Sequence, residues 1–134
     1  MIELPVTALF GGLFALLMIP MTVAVGLCRA RTRVLFYDGG NDTLRRVVRA
    51  HGNYLENMPV ALILMAVAEI NNASVIFLYV MGTVFLLARV LHYLTLNFFD
   101  KPVFRVTSML TTMGTILGFG IWLLLAYWRH IHGL

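Results

Sequence analysis

Four apolar segments, each long enough to cross a bilayer, take up most of this chain. They run over about residues 5–28, 43–70, 75–97 and 103–128, and a helical span needs about 20 apolar residues. Only 12% of the 134 residues are charged and 60% are hydrophobic, whereas a soluble domain carries about 25% charged residues. The expected fold is therefore all-α: an integral-membrane four-helix bundle forming one domain over residues 1–134. Little chain remains for a soluble catalytic domain, so any site must lie within the helices or at their ends. The N-terminus has no positive stretch ahead of its apolar run, so it reads as a retained first helix and not a signal peptide. Pro20 and Pro59 fall inside helices 1 and 2 and should kink them.

The basic residues are unevenly placed. Arg29, Arg31, Arg33, Arg45, Arg46 and Arg49 lie between the end of helix 1 and the start of helix 2, and Lys101 and Arg105 lie at the junction of helices 3 and 4. The opposite end has only Arg129. Short loops rich in Lys and Arg stay in the cytoplasm. Both of these loops should therefore be cytoplasmic, with the termini periplasmic or lumenal. Contact with lipid head groups accounts for Arg31, Arg33, Arg45 and Arg46, and the net charge of +4 calls for no nucleic acid. The single cysteine, Cys28, excludes an intrachain disulfide and reads as a small apolar residue near the end of helix 1.

The stretch from Arg49 to Pro59 sets an arginine, a histidine, an asparagine and a glutamate at the head of an apolar segment. A charge inside a bilayer costs roughly 2.5–3.5 kcal/mol even on lenient scales, so it persists where it pairs or binds something. At about 100° per residue, Arg45, Arg49, Asn53 and Glu56 form one stripe of helix 2, with His51 facing elsewhere. On helix 3, Arg89 and His92 share a face, with Tyr93 beside them. At 1.5 Å per residue, Arg89 lies ~12 Å from the basic end and Glu56 ~20 Å along its helix. These comparable depths predict a structural Glu56–Arg89 ion pair. Gly114 and Gly118 form a small-xxx-small pair suited to close helix packing.

The run Arg49-Ala50-His51-Gly52-Asn53-Tyr54-Leu55-Glu56-Asn57-Met58-Pro59, on the second of four helices, resembles the signature of the membrane-associated proteins in eicosanoid and glutathione metabolism (MAPEG). Arg89-Val90-Leu91-His92 is similar to the family's Arg-x-x-His, and Arg105 stands thirteen residues after that histidine. The resemblance implies a homotrimer in a bacterial inner membrane, with a site between subunits on the cytoplasmic side. It implies glutathione as cosubstrate, held by Arg29, Arg49, Asn53 and Glu56, with His51, His92 and Tyr93 at the site. It gives Arg105 the catalytic role of ionising the glutathione thiol, because a nearby guanidinium favours the charged form. A hydrophobic electrophile or lipid hydroperoxide would arrive from the bilayer.

Leu96 stands where several members carry a tyrosine. Val106 and Gly52 stand where a prostaglandin-forming member has serine and an additional arginine. Two readings follow: a glutathione-dependent transferase or peroxidase acting on hydrophobic electrophiles, or a non-enzymatic trimer that binds glutathione or lipid or scaffolds a partner. A proton-coupled multidrug transporter would need an acid midway along helix 1, and residues 5–28 contain none. Haem would need two histidines facing each other across helices, for which the bundle offers only His51 and His92. No metal and no haem are expected.

Overall fold

A computed structural model describes residues 3–99 and 101–133. The chain forms four helices, α1 (Pro5–Thr32), α2 (Asp42–Ile70), α3 (Val75–Leu94) and α4 (Pro102–His132). A π-helical turn, Thr95–Phe99, continues α3. The described residues contain no strand, so the expected all-α bundle is what the sequence builds. Asp100, in the expected loop between helices 3 and 4, lies outside the described residues.

Local chemistry sets the helix ends. Proline opens α1 and α4 in the first turn, where its missing N–H costs nothing. Asn41 caps α2 by accepting from the Leu44 N–H at 2.9 Å, and Ser74 caps α3 by accepting from the Phe77 N–H at 3.2 Å. The helices outlast their apolar segments. α1 continues past Cys28 to Thr32 and stops where Arg33 turns left-handed at φ 57°. α4 continues past Trp128 to His132, whose ring stacks on Trp128 with centroids 4.5 Å apart. Gly133, at φ 67°, ends it. α1 and α2 both run on through Pro20 and Pro59.

The start of α1 has no side-chain cap of its own. Instead the Glu69 carboxylate, in the last turn of α2, accepts from the N–H groups of Val6 and Thr7 at 2.9 and 2.8 Å. This joins the two helices end to end and places a negative charge on the positive end of the α1 dipole. Glu69→Ala should destabilise the fold by about 1–2 kcal/mol, the usual value of a lost cap. Thermal unfolding in nanodiscs checks this, and Glu69→Gln should lose less because one acceptor oxygen remains.

α2 and α3 touch across the middle of the bundle, while α1 packs against both from one side and α4 against both from the other. Phe10 and Phe14 of α1, Tyr54 and Met65 of α2, Phe85 of α3 and Phe119 of α4 form the centre of the core. The Phe14 and Phe85 rings meet edge to face with centroids 5.5 Å apart, a favoured aromatic geometry. Gly82 lets the Phe10 ring close on α3, since a Cβ there would fall 2.4 Å from that ring. Of the small-xxx-small pair, Gly118 lies under Met81 while Gly114 faces open space within the protomer. Three helices, α1, α3 with its π turn, and α4, are long and apolar enough to cross a membrane. α2 is long enough, but its first half carries Asp42, Arg45, Arg46, Arg49 and Glu56.

Candidate functional site

A buried polar layer joins α3 to α4. Arg89 and His92 are each 2% exposed. The Arg89 guanidinium donates to the Thr112 hydroxyl and, at 3.4 Å, to the Ser108 carbonyl. It also lies over the Phe85 ring, 5.7 Å from its centroid. His92 Nδ1 is 3.0 Å from the Ser108 hydroxyl, which donates its proton to the Arg105 carbonyl at 2.9 Å. Having one proton to give, Ser108 must accept from His92 Nδ1–H, which leaves Nε2 as an acceptor. His92 Nε2 and Arg89 Nε are buried with no partner among the described residues. Ser108 and Thr112 were missed in the sequence. Their signal was the spacing of two hydroxyls one turn apart on an apolar helix, the kind of residue that satisfies polar groups between membrane helices.

The predicted Glu56–Arg89 pair does not form. Glu56 lies on the exposed face of α2 and pairs with Arg49 on the same helix, at 3.7 Å. Arg89 instead finds neutral oxygen acceptors on α4. Pairing decides between the two: Glu56 stays beside Arg49 on the outer face of the protomer, whereas reaching Arg89 would bury it at the cost of desolvation. Asn53, on the same stripe, is buried and donates to the Arg49 carbonyl at 3.3 Å. His51 faces away from the stripe and meets Thr22 of α1 at 3.1 Å.

Among the described residues, cavities at the basic end keep the expected binding residues apart. Arg29 and Arg49 line one of about 440 Å³ with Tyr37 and Asp38. Arg29 is anchored there, donating to the carbonyls of Val34, Leu35 and Tyr37 at 3.3, 3.1 and 2.9 Å. Arg105 lines a second, of about 250 Å³, with Arg46, Lys101, Thr95 and Leu96. Tyr93 lines a third, of about 450 Å³, between α1, α2 and the π turn. The expected binding residues thus divide within one protomer. Arg29, Arg49 and Glu56 gather on the α1–α2 side, Arg105 sits at the head of α4, and His92 is buried against Ser108 of α4. The chemistry of the basic end suits anions, because arginine offers a planar fork of donors matched to carboxylates.

Antiparallel apolar helices, a buried polar layer and a cation-lined end define a polytopic helical membrane protein. The chain belongs to the MAPEG family, whose pattern matches residues 7–125. It is similar to the inner membrane protein YecN of Escherichia coli strain K12, with 38% identity over 88 residues, covering 66% of this chain and 67% of that protein. YecN of E. coli strain CFT073 matches to the same extent.

Proposed function

We propose that the protein is a homotrimeric, membrane-bound, glutathione-dependent transferase or peroxidase for hydrophobic electrophiles. Its basic end faces the cytoplasm and its termini the periplasm. The observation that carries this reading is the division of the cations: Arg29 and Arg49 line a cavity on the α1–α2 side, and Arg105 and Lys101 line another at the head of α4. Each is half of a site for a ligand with two carboxylates. A second copy of the chain, set against the first, would bring one half to the other. The exposed Arg49–Glu56 pair supports this, since a charged pair left against lipid tails is costly, whereas a subunit interface or ligand would cover it.

Glutathione suits these groups. Its carboxylates match Arg29 and Arg49, and its ammonium matches Glu56, whose 3.7 Å contact with Arg49 is long enough to exchange. The thiol is a weak nucleophile until ionised. A guanidinium at about 4 Å in surroundings of effective dielectric ~20 favours the thiolate by about 4 kcal/mol, or about three pKa units before desolvation is counted. We assign this role to Arg105, and the electrophile would approach from the membrane.

Leu96 favours a second reading, binding without turnover, because it puts an apolar side chain in the wall of the Arg105 cavity. Calorimetric titration of glutathione into nanodisc-embedded protein, followed by an assay with 1-chloro-2,4-dinitrobenzene, separates the two. Heat with turnover is the expected result, heat alone selects the second reading, and no heat at millimolar glutathione overturns both.

A further inference from the structure

The cavity of about 450 Å³ between α1, α2 and the π turn is not used by the function proposed above. Its size falls within the ordinary range for small-molecule sites, about 300–1,000 Å³. Its lining changes character along the helix axis. On α1, Ala24, Leu27, Cys28 and Arg31 line one face at the three- and four-residue spacing of a helix. Arg31 lies ~10 Å nearer the basic end than Ala24 at 1.5 Å per residue. The end away from the basic residues is apolar and open along Leu27, with Val47 of α2 facing the same space, and the other end is polar, with Thr43 and Asn41 lining it together with Arg31.

Two further observations point to a ligand. Arg31 has no hydrogen-bond or ion-pair partner among the described residues, so its charge is free at the mouth. The far wall is the π-helical turn Thr95–Phe99, which contributes Asn97 and Phe98 to the cavity. Single π turns are frequent at functional sites. Asn97 Oδ1 is buried without a donor, while its amide group donates to the Tyr93 carbonyl at 2.8 Å.

We propose that this cavity binds a single-chain anionic amphiphile, its carboxylate or phosphate head on Arg31 and its acyl chain running inward past Leu27 towards Ala24. The site lies within one protomer and does not depend on glutathione binding, so either proposal can fail without the other.

The test is photocrosslinking in phosphatidylcholine nanodiscs with an oleate analogue carrying a diazirine in its tail. Saturable adducts on Ala24, Leu27 or Val47 are expected. Oleate and lysophosphatidate should both compete if the head group alone matters, and competition by one alone identifies carboxylate or phosphate as the natural head. Monoolein, which keeps the chain and lacks the charge, should compete at least about tenfold less well, the loss expected for one charge-assisted hydrogen bond. Arg31→Gln should weaken oleate by the same factor, and labelling of the single thiol, Cys28, should slow when oleate is bound. Adducts confined to the outward residues Leu16, Ile19 and Val23, or equal competition by monoolein and oleate, would overturn the proposal.

Discussion

Arg105→Ala should lower glutathione conjugation at pH 7 by about 30-fold, the loss in thiolate when a thiol held mostly ionised returns to a pKa near 8.5. The side chain is exposed at the head of α4, and its guanidinium makes no hydrogen bond or ion pair among the described residues. Its removal should therefore leave the helices and the oligomer unchanged, which size-exclusion chromatography in detergent checks. A pH profile distinguishes the chemical role from a structural one. With arginine present, the thiol ionises early and the rate should level off near neutral pH. In the variant, the rate should keep rising about tenfold per unit towards the pKa of a free thiol, near 8.5. High pH should thus restore much of the activity. Arg105→Lys should retain part of the rate, since it keeps the charge and loses the planar fork. Undiminished turnover in Arg105→Ala would remove Arg105 from the mechanism.

The second large effect concerns stability. Thr112→Val keeps the side-chain shape and deletes the one hydroxyl that accepts from the Arg89 guanidinium. The expected cost is about 2 kcal/mol, in the range for a hydrogen bond to a charged group. An ordinary polar contact between membrane helices averages only about 0.6 kcal/mol, so the measurement reports whether Arg89 is held as a cation. Adding Arg89→Met should recover most of the loss, because an apolar side chain has no charge left to satisfy. Unfolding of the two single variants and the double variant in the same detergent gives the coupling. A cycle that sums to zero would mean that the Thr112 hydroxyl does nothing for Arg89.

Hydropathy revealed the helices but not where they stop. The segment Arg29–Thr32 and the segment Arg129–His132 are too polar for hydrocarbon, yet both remain helical. Backbone hydrogen bonding continues until a left-handed residue breaks it, and here Arg33 and Gly133 do so. The site was legible by half. Arg89 stood out as a charge in an apolar helix, and the wheel correctly set Arg49 and Glu56 on one face with His51 off it. Pairing by opposite charge and similar depth then chose the wrong partner, because depth does not reveal which way a side chain points. The Thr112 hydroxyl and the Ser108 carbonyl, which carry no charge to attract notice, hold the buried cation instead. The Glu69 cap was illegible for a related reason: the N–H donors it accepts from lie more than sixty residues away in sequence and declare themselves only once α1 and α2 are antiparallel.

The polar first half of α2 bears on how the chain reaches its membrane. A segment carrying Asp42, Arg45, Arg46, Arg49 and Glu56 gains little by leaving the translocon alone, whereas α1 partitions readily. Once α1 is in place, Asn53 and Tyr54 can turn inward, and the Tyr54 hydroxyl donates to the Phe14 carbonyl at 2.5 Å. Glu69 can then close on the opposite end of the pair. Biogenesis of this protein is therefore expected to proceed by hairpin entry, with α1 escorting α2 into the lipid and the Tyr54 and Glu69 contacts latching the pair before α3 and α4 emerge.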